Sequence, residues 1–223
     1  MKLMIGVPTG EYGRRAEFYD YFNALEKPDG TVIMFSHGQS PAKNRNVIAE
    51  AALDHDCTHV LYIDDDMAFE KDALTKLLIH ADKDVVSGLY LMRNYPHYPL
   101  ALDEAYDDGK CKFMFLTPDK TGLIEVVGCG FGFILIKTDV FRKLEKPWVR
   151  LGEIEKDEWC DDVDFSNRVR KVGFKIYCDL DIWLGHMLNI TLRPGRDKNG
   201  WNSVYVTQTG QMFQFPQIVS PST

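Results

Sequence analysis

The sequence predicts an α/β fold with a mostly parallel central sheet and a small antiparallel sheet, on three observations. From residue 3 to residue 89, short apolar runs alternate with amphipathic, helix-length segments. That β-α-β-α-β-α-β order implies parallel strands joined by right-handed crossovers. The run Val60-Leu61-Tyr62-Ile63 leads straight into Asp64-Asp65-Asp66, as a buried parallel strand does when it ends at a charged crevice. After Tyr90 the alternation gives way to short runs broken by Pro96, Pro99, Asp107-Asp108-Gly109 and Pro118, which suit antiparallel strands.

The elements follow in order. Leu3 to Val7 reads as the first strand, ended by the turn Pro8-Thr9-Gly10. Phe18, Tyr21, Phe22 and Leu25 recur at helical steps from Ala16 to Leu25, and Lys27-Pro28-Asp29-Gly30 stops that helix. Thr31 to Phe35 is a second strand. Ser40 and Pro41 supply an N-cap and a first-turn proline for a helix to Asp54, expected to bury Val47, Ile48, Ala51 and Leu53. His59 to Ile63 is the third strand, Glu70 to His80 a helix on Leu74, Leu77 and Leu78, and Asp84 to Leu89 the fourth strand. Leu123 to Val127 and Phe133 to Ile136 read as strands on either side of a glycine corner, Gly128-Cys129-Gly130-Phe131-Gly132. Thr138 is expected to cap a short helix to Leu144. Asp161 to Val172 is a helix with Phe165, Val169 and Val172 inward, stopped by Gly173, and Lys175 to Cys178 is a late strand. Beyond His186 no periodicity stands out.

Composition sets the bounds. The 223 residues are 45% hydrophobic and 26% charged, enough for one core with little room for a second full domain. A net charge of -7 argues against a broad nucleic-acid face. The five cysteines are odd in number and widely spaced with no CxxC, so a disulfide framework or zinc knuckle is not expected; reduced thiols in a cytoplasmic protein are. No apolar run has membrane-spanning length. The Asn189-Ile190-Thr191 sequon would matter only in a secretory compartment.

Three clusters carry chemistry. On an extended strand end Asp64 and Asp66 share one side and Asp65 points away. Close carboxylates repel, and two on one side suit a hard divalent cation, Mn²⁺ or Mg²⁺, that also bridges phosphates. An acidic turn is also an ordinary helix cap; its place after a buried strand in mid-sheet favours the metal. In Glu158-Trp159-Cys160-Asp161-Asp162-Val163-Asp164-Phe165, capping and the helix dipole account for one acid at the helix start, not for so many. A carboxylate there can serve as a general base toward a hydroxyl. The third is Leu184-Gly185-His186, where the histidine is a metal candidate because of the acids that precede it and the basic tail that follows. The glycine corner lacks GxGxxG spacing and leads into a strand, which rules out a dinucleotide fingerprint, and there is no GxxxxGK[ST]. A phosphatase-type nucleophile would follow the first strand, where Pro8-Thr9-Gly10 stands.

Taken in order, Pro8-Thr9, Lys43-Asn44-Arg45-Asn46, Tyr62-Ile63-Asp64-Asp65-Asp66, the stretch Gly128 to Phe141, Asp161-Asp162-Val163-Asp164-Phe165 and His186 resemble the GT-A fold glycosyltransferases, closest to family-2-like enzymes of small bacterial and phage type. The resemblance covers about residues 1–190. It implies a single catalytic domain over residues 1–186, with residues 187–223 as a tail that closes over the donor. It implies a nucleoside-diphosphate sugar as donor and a hydroxyl acceptor on a glycan, lipid, protein or modified nucleobase, with an oligomer as one way to complete the acceptor site. Asp64, Asp66 and His186 are the implied metal set. Asp162 is the implied base, with Asp161 standing where the family usually has Glu. Pro8, Thr9, Arg45, Asp64, Asp65, Gly130, Arg193, Arg196 and Lys198 are the implied donor side, and Trp159 the acceptor-side candidate. Two other readings keep the fold: a non-catalytic nucleotide-sugar or carbohydrate-binding protein, and a sugar-1-phosphate nucleotidyltransferase, for which Pro8-Thr9-Gly10-Glu11-Tyr12-Gly13 is a poor phosphate loop.

Overall fold

The computed structural model describes residues 1–10, 16–93, 97–105, 111–117, 119–150, 161–197, 200–207 and 212–215. The chain opens with β1 (Leu3–Pro8), α1 (Ala16–Ala24), β2 (Val32–Ser36), α2 (Pro41–Asp54) and β3 (His59–Ile63). It continues through β4 (Met67–Ala68), α3 (Ala73–Leu78), β5 (Val85–Leu89), β6 (Ala101–Ala105), β7 (Cys111–Phe113), β8 (Leu123–Val126), β9 (Gly128–Cys129) and β10 (Phe133–Lys137). Then come α4 (Thr138–Lys143), α5 (Asp161–Lys171), β11 (Ile176–Trp183), β12 (Gly185–His186), β13 (Ile190–Asp197), β14 (Gly200–Thr207) and β15 (Met212–Phe215).

The main sheet has seven strands in the order β2-β1-β3-β10-β5-β11-β8. Strands β2, β1 and β3 are parallel, as are β5 and β11. The all-parallel run implied by the first four strands is interrupted: β10 slots between β3 and β5, antiparallel to both, and β8 is antiparallel to β11 at the edge. This is a mixed, mostly parallel sheet. β6, β7 and β9 form the small antiparallel sheet expected after Tyr90.

Period-two alternation sorts the strands onto two covered faces. Met4, Val60, Tyr62, Ile134 and Ile136 face a core built with Ile48 and Ala52 of α2, Phe141 of α4, and Phe165 and Val169 of α5. Leu3, Ile5, Val7, Leu61, Ile63 and Leu135 face the other core, with Phe18 and Phe22 of α1 and Leu74 and Leu77 of α3. α2 lies so close to β1 that a Cβ on Gly6 would come within 2.2 Å of Ile48 Cγ2.

Three local expectations need correcting. In α2 only Ile48 of the four expected apolar residues is fully buried; Val47 is exposed, and Asn44 and Arg45 are buried instead. They take inward places because the Thr9 carbonyl accepts from Asn44 Nδ2, and Asp64 and Asp161 accept from the two Arg45 Nη groups, leaving Arg45 Nε without a partner among the described residues. Thr138 is not a cap: the helix starts from Lys137, and the Thr138 hydroxyl donates to the Cys57 carbonyl at 2.8 Å. The tail beyond His186, where no periodicity stands out in the sequence, contains a three-stranded antiparallel sheet, β13-β14-β15. Among the described residues no helix is long and apolar enough to cross a membrane.

Candidate active site

The site forms where the parallel strands β1, β3 and β5 end. Since Tyr62 faces α2 and α5, the alternation puts Asp64 on that same face. There the Arg45 Nη2 donates to both carboxylate oxygens of Asp64, at 2.9 and 3.0 Å, while Nη1 pairs with Asp161, the first residue of α5. Arg45 lies over the Phe131 ring at 4.4 Å, and Tyr62 Oη donates to its carbonyl at 2.9 Å. Burial opposes its charge, but Asp64, Asp161 and Asp162 outweigh that and hold the guanidinium protonated above its ordinary range. Asp64 is pushed up by burial, with Asp66 and Asp161 adding to the effect, and pulled back by Arg45.

The extended geometry ends at Asp64. Met67 N–H closes a turn onto the Asp64 carbonyl at 3.2 Å, so Asp66 leaves the Asp64 contacts for a different set. β4 pairs with β12, His186 opposite Met67, and Met187 N–H donates to the Asp66 carbonyl at 2.8 Å. This brings His186 Nε2 to 3.5 Å from Asp66 Oδ2, although the two are far apart in sequence. The Arg93 Nη1 stands 2.9 Å from that same Oδ2.

His186 Nδ1 is 3.0 Å from the Leu91 carbonyl, which can only accept, so Nδ1 carries the proton and Nε2 is the atom presented to Asp66. Pinning one ring nitrogen on a carbonyl also prepares the other as a metal ligand. Among the described residues no group of three or more His, Cys, Asp or Glu side chains converges to hold a metal. A divalent ion held by Asp66 and His186 would need its remaining ligands from outside the described side chains.

The three acids opening α5 divide their contacts. Asp161 goes to Arg45, and Asp164 goes to Arg150 at 2.9 and 3.0 Å. Asp162 is half-buried, and its charge helps raise the Tyr90 phenol and the Cys129 thiol, which burial already pushes well above their ordinary ranges. The Tyr90 Oη accepts from Gly132 N–H at 2.8 Å, and its ring meets His186 edge-on at 5.5 Å.

Other expected residues have other surroundings. Thr9 is buried as a latch: its N–H and hydroxyl both donate to the Ser36 carbonyl, and its own carbonyl accepts from Asn44 Nδ2 at 3.0 Å. Pro8 is buried beside it at the end of β1. What comes close to Gly130 is Tyr90, whose Oη would be 2.1 Å from an added Cβ. Arg193 and Arg196 are on β13, and Arg193 is exposed. Trp159 and Lys198 lie outside the described residues. The sequence assigned no role to Tyr90 or Arg93. Tyr90 and Arg93 follow directly on the carboxyl end of β5, and that position alone is the signal that finds them.

Residues 13–145 match the family model described as Glycosyl transferase family 2. The chain belongs to this family. Membership gives it a glycosyl-transfer role. The matched span contains Arg45, the three acids, Arg93 and Gly130, and ends before Asp161 and His186. No curated protein sequence matches the chain. Among solved structures, the A197 protein from STIV is similar at 17% identity and a TM-score of 0.57, covering 100% of this chain and 98% of its own. S. aureus TarS 1-349 in complex with UDP-GlcNAc is similar at 15% identity and a TM-score of 0.53, over 83% of this chain and 58% of that one. A second structure of S. aureus TarS 1-349 gives 14% identity and a TM-score of 0.54, over 84% of this chain and 60% of that one. At these identities the likeness is one of fold, the GT-A arrangement, and this chain spans about three-fifths of the TarS fragment.

Proposed function

We propose that this family-2 glycosyltransferase moves a sugar from a nucleoside-diphosphate donor to a hydroxyl acceptor, with a divalent cation on Asp66 and His186 and Asp162 as the base. The observation that carries the reading is the Asp66–His186 pair, 3.5 Å apart with His186 Nδ1 anchored on Leu91. A cation held there would supply positive charge to the departing diphosphate. Asp64 is not assigned to the metal, because Arg45 engages both its oxygens. Asp161 is not assigned as base, because it is committed to the same Arg45. Asp162 then takes the acceptor proton as the hydroxyl oxygen attacks the anomeric carbon, a course that inverts configuration. A nucleotide-sugar donor is supported by family membership and by the TarS complex with UDP-GlcNAc.

The test combines a screen and a variant. UDP-, GDP-, dTDP- and CMP-sugars are screened for thermal stabilisation with and without Mn²⁺; one nucleotide class should stabilise in a metal-dependent way. In that complex Asp162→Asn should lose about 10²- to 10⁴-fold in transfer while keeping the thermal shift. Loss of the shift instead would make Asp162 a ligand and sink its role as base.

A further inference from the structure

We propose that Arg93 is an exchangeable counter-ion: it holds Asp66 until a divalent cation arrives, then passes to the donor diphosphate that the cation bridges. The inference rests on the metal reading above and makes loading of the metal depend on the donor. Three observations lead to it. The Arg93 Nη1 occupies the same oxygen, Asp66 Oδ2, that faces His186 Nε2, at 2.9 Å. A guanidinium and a divalent ion cannot share that oxygen without strong repulsion. The Arg93 side chain is 46% exposed, against 6% for Arg45. Its guanidinium can therefore reach water on leaving Asp66, which is itself 16% exposed. Lastly, Arg93 follows the Leu91–Pro99 bridge pairing, whose Leu91 carbonyl anchors His186. Arg93 thus stands two residues along the chain from the carbonyl that anchors His186.

The chemistry favours exchange over simple blockade. Arg forms a fork that matches phosphate oxygens as well as carboxylate oxygens. A diphosphate that brings its own cation offers Arg93 a new anionic partner at the moment the old one is taken. Coupling of this kind is reciprocal, so whatever draws Arg93 off Asp66 tightens metal binding, and the metal tightens diphosphate binding.

The test measures Mn²⁺ binding to the whole chain by the electron paramagnetic resonance signal of the free ion. Without nucleotide, Arg93→Ala should bind Mn²⁺ about fivefold more tightly than wild type, the fold-change expected for freeing a partly exposed ion pair. Arg150→Ala removes the same charge from the Asp164 pair and should leave the affinity unchanged. With UDP and with GDP in parallel, the order should reverse for one nucleotide, because the variant has lost its contact to the diphosphate. Equal or weaker Mn²⁺ binding by Arg93→Ala, equal tightening by Arg150→Ala, or no reversal with either nucleotide overturns the proposal. Asp66→Asn separates the two readings: if it weakens Mn²⁺ binding while Arg93→Ala changes nothing, the metal site stands and only the exchange falls. If Asp66→Asn binds Mn²⁺ like wild type, the metal site itself is wrong and the exchange falls with it.

Discussion

Asp64 and Asp66 are two residues apart at the end of one strand, and each is paired with an arginine, yet the two pairs differ in kind. Arg45 is 6% exposed and ties Asp64 to Asp161, joining α2, β3 and α5. Arg93 is 46% exposed and reaches Asp66 from the open side. Burial separates a strut from a replaceable partner. A guanidinium that cannot reach water must keep its carboxylates, while one that can reach water gives up little by letting go. An acidic triplet therefore need not be a triplet of ligands: its first member can be spent on architecture and its last kept for chemistry.

The comparison breaks most visibly at Arg45. Arg45→Ala leaves Asp64 and Asp161 facing each other without their shared cation, and it should cost about 3–5 kcal/mol of stability. Chemical denaturation measures this. A loss under 1 kcal/mol would show that the buried pair is no strut, and the contrast with Arg93 would collapse.

Asp66→Ala tests the other half. Metal-dependent donor turnover should fall at least about 100-fold, equivalent to roughly 3 kcal/mol in the barrier. Stability should fall by less than for Arg45→Ala, because Arg93, left without its carboxylate, is 46% exposed and can reach water, although Asp66 itself is only 16% exposed. Donor hydrolysis with Mn²⁺, read beside the thermal midpoint, separates the two effects. Turnover at the wild-type rate would remove Asp66 from the metal site.

Gly130 connects the two regions through Tyr90. An alanine there would put Cβ 2.1 Å from Tyr90 Oη, displacing the ring that packs against His186. Gly130→Ala should cost about 1–3 kcal/mol through overpacking. It should also weaken Mn²⁺ binding, whereas a purely structural glycine would lower the melting midpoint alone.

Much of the fold was legible because it is local. Strand β3 was read to the residue, and Ser40, which accepts from Lys43 N–H, and Pro41 marked the start of α2. The acidic turn was legible from its place after a buried strand. The insertion of β10 was not, since its pairing with β3 joins residues some seventy positions apart and leaves no periodic trace. Nor was Arg45 as a strut: in sequence it is one cation in a polar tetrapeptide, and only the packing of α2 turns it inward. Arg93 was missed because an arginine in a proline-broken loop has no pattern of its own. The tail strands are hard to read because β-rich stretches such as Val204-Tyr205-Val206-Thr207 are short and, among the described residues, pair only with one another.

The opposite end of β3 offers the smallest test and the cleanest control. His59 starts the strand, buried, with Nε2 3.0 Å from the Ala81 carbonyl and Nδ1 2.9 Å from Thr58 Oγ1. Burial lowers its pKa from the ordinary histidine value, Lys137 adds to this, and the Ala81 contact only partly offsets it. A base with a depressed folded pKa binds its proton more readily when unfolded, so stability falls as pH drops from about 6.5 toward the folded value. Above that window the contribution is complete. His59→Gln should flatten the fall in melting midpoint between pH 7.5 and 5.5 by about one or two degrees. It should leave Mn²⁺ affinity untouched, since nothing at this end of the strand reaches Asp64 or Asp66. A matching change in metal binding would mean that β3 transmits strain along its length, and the division of the site into a rigid pair and an exchangeable pair would have to be redrawn.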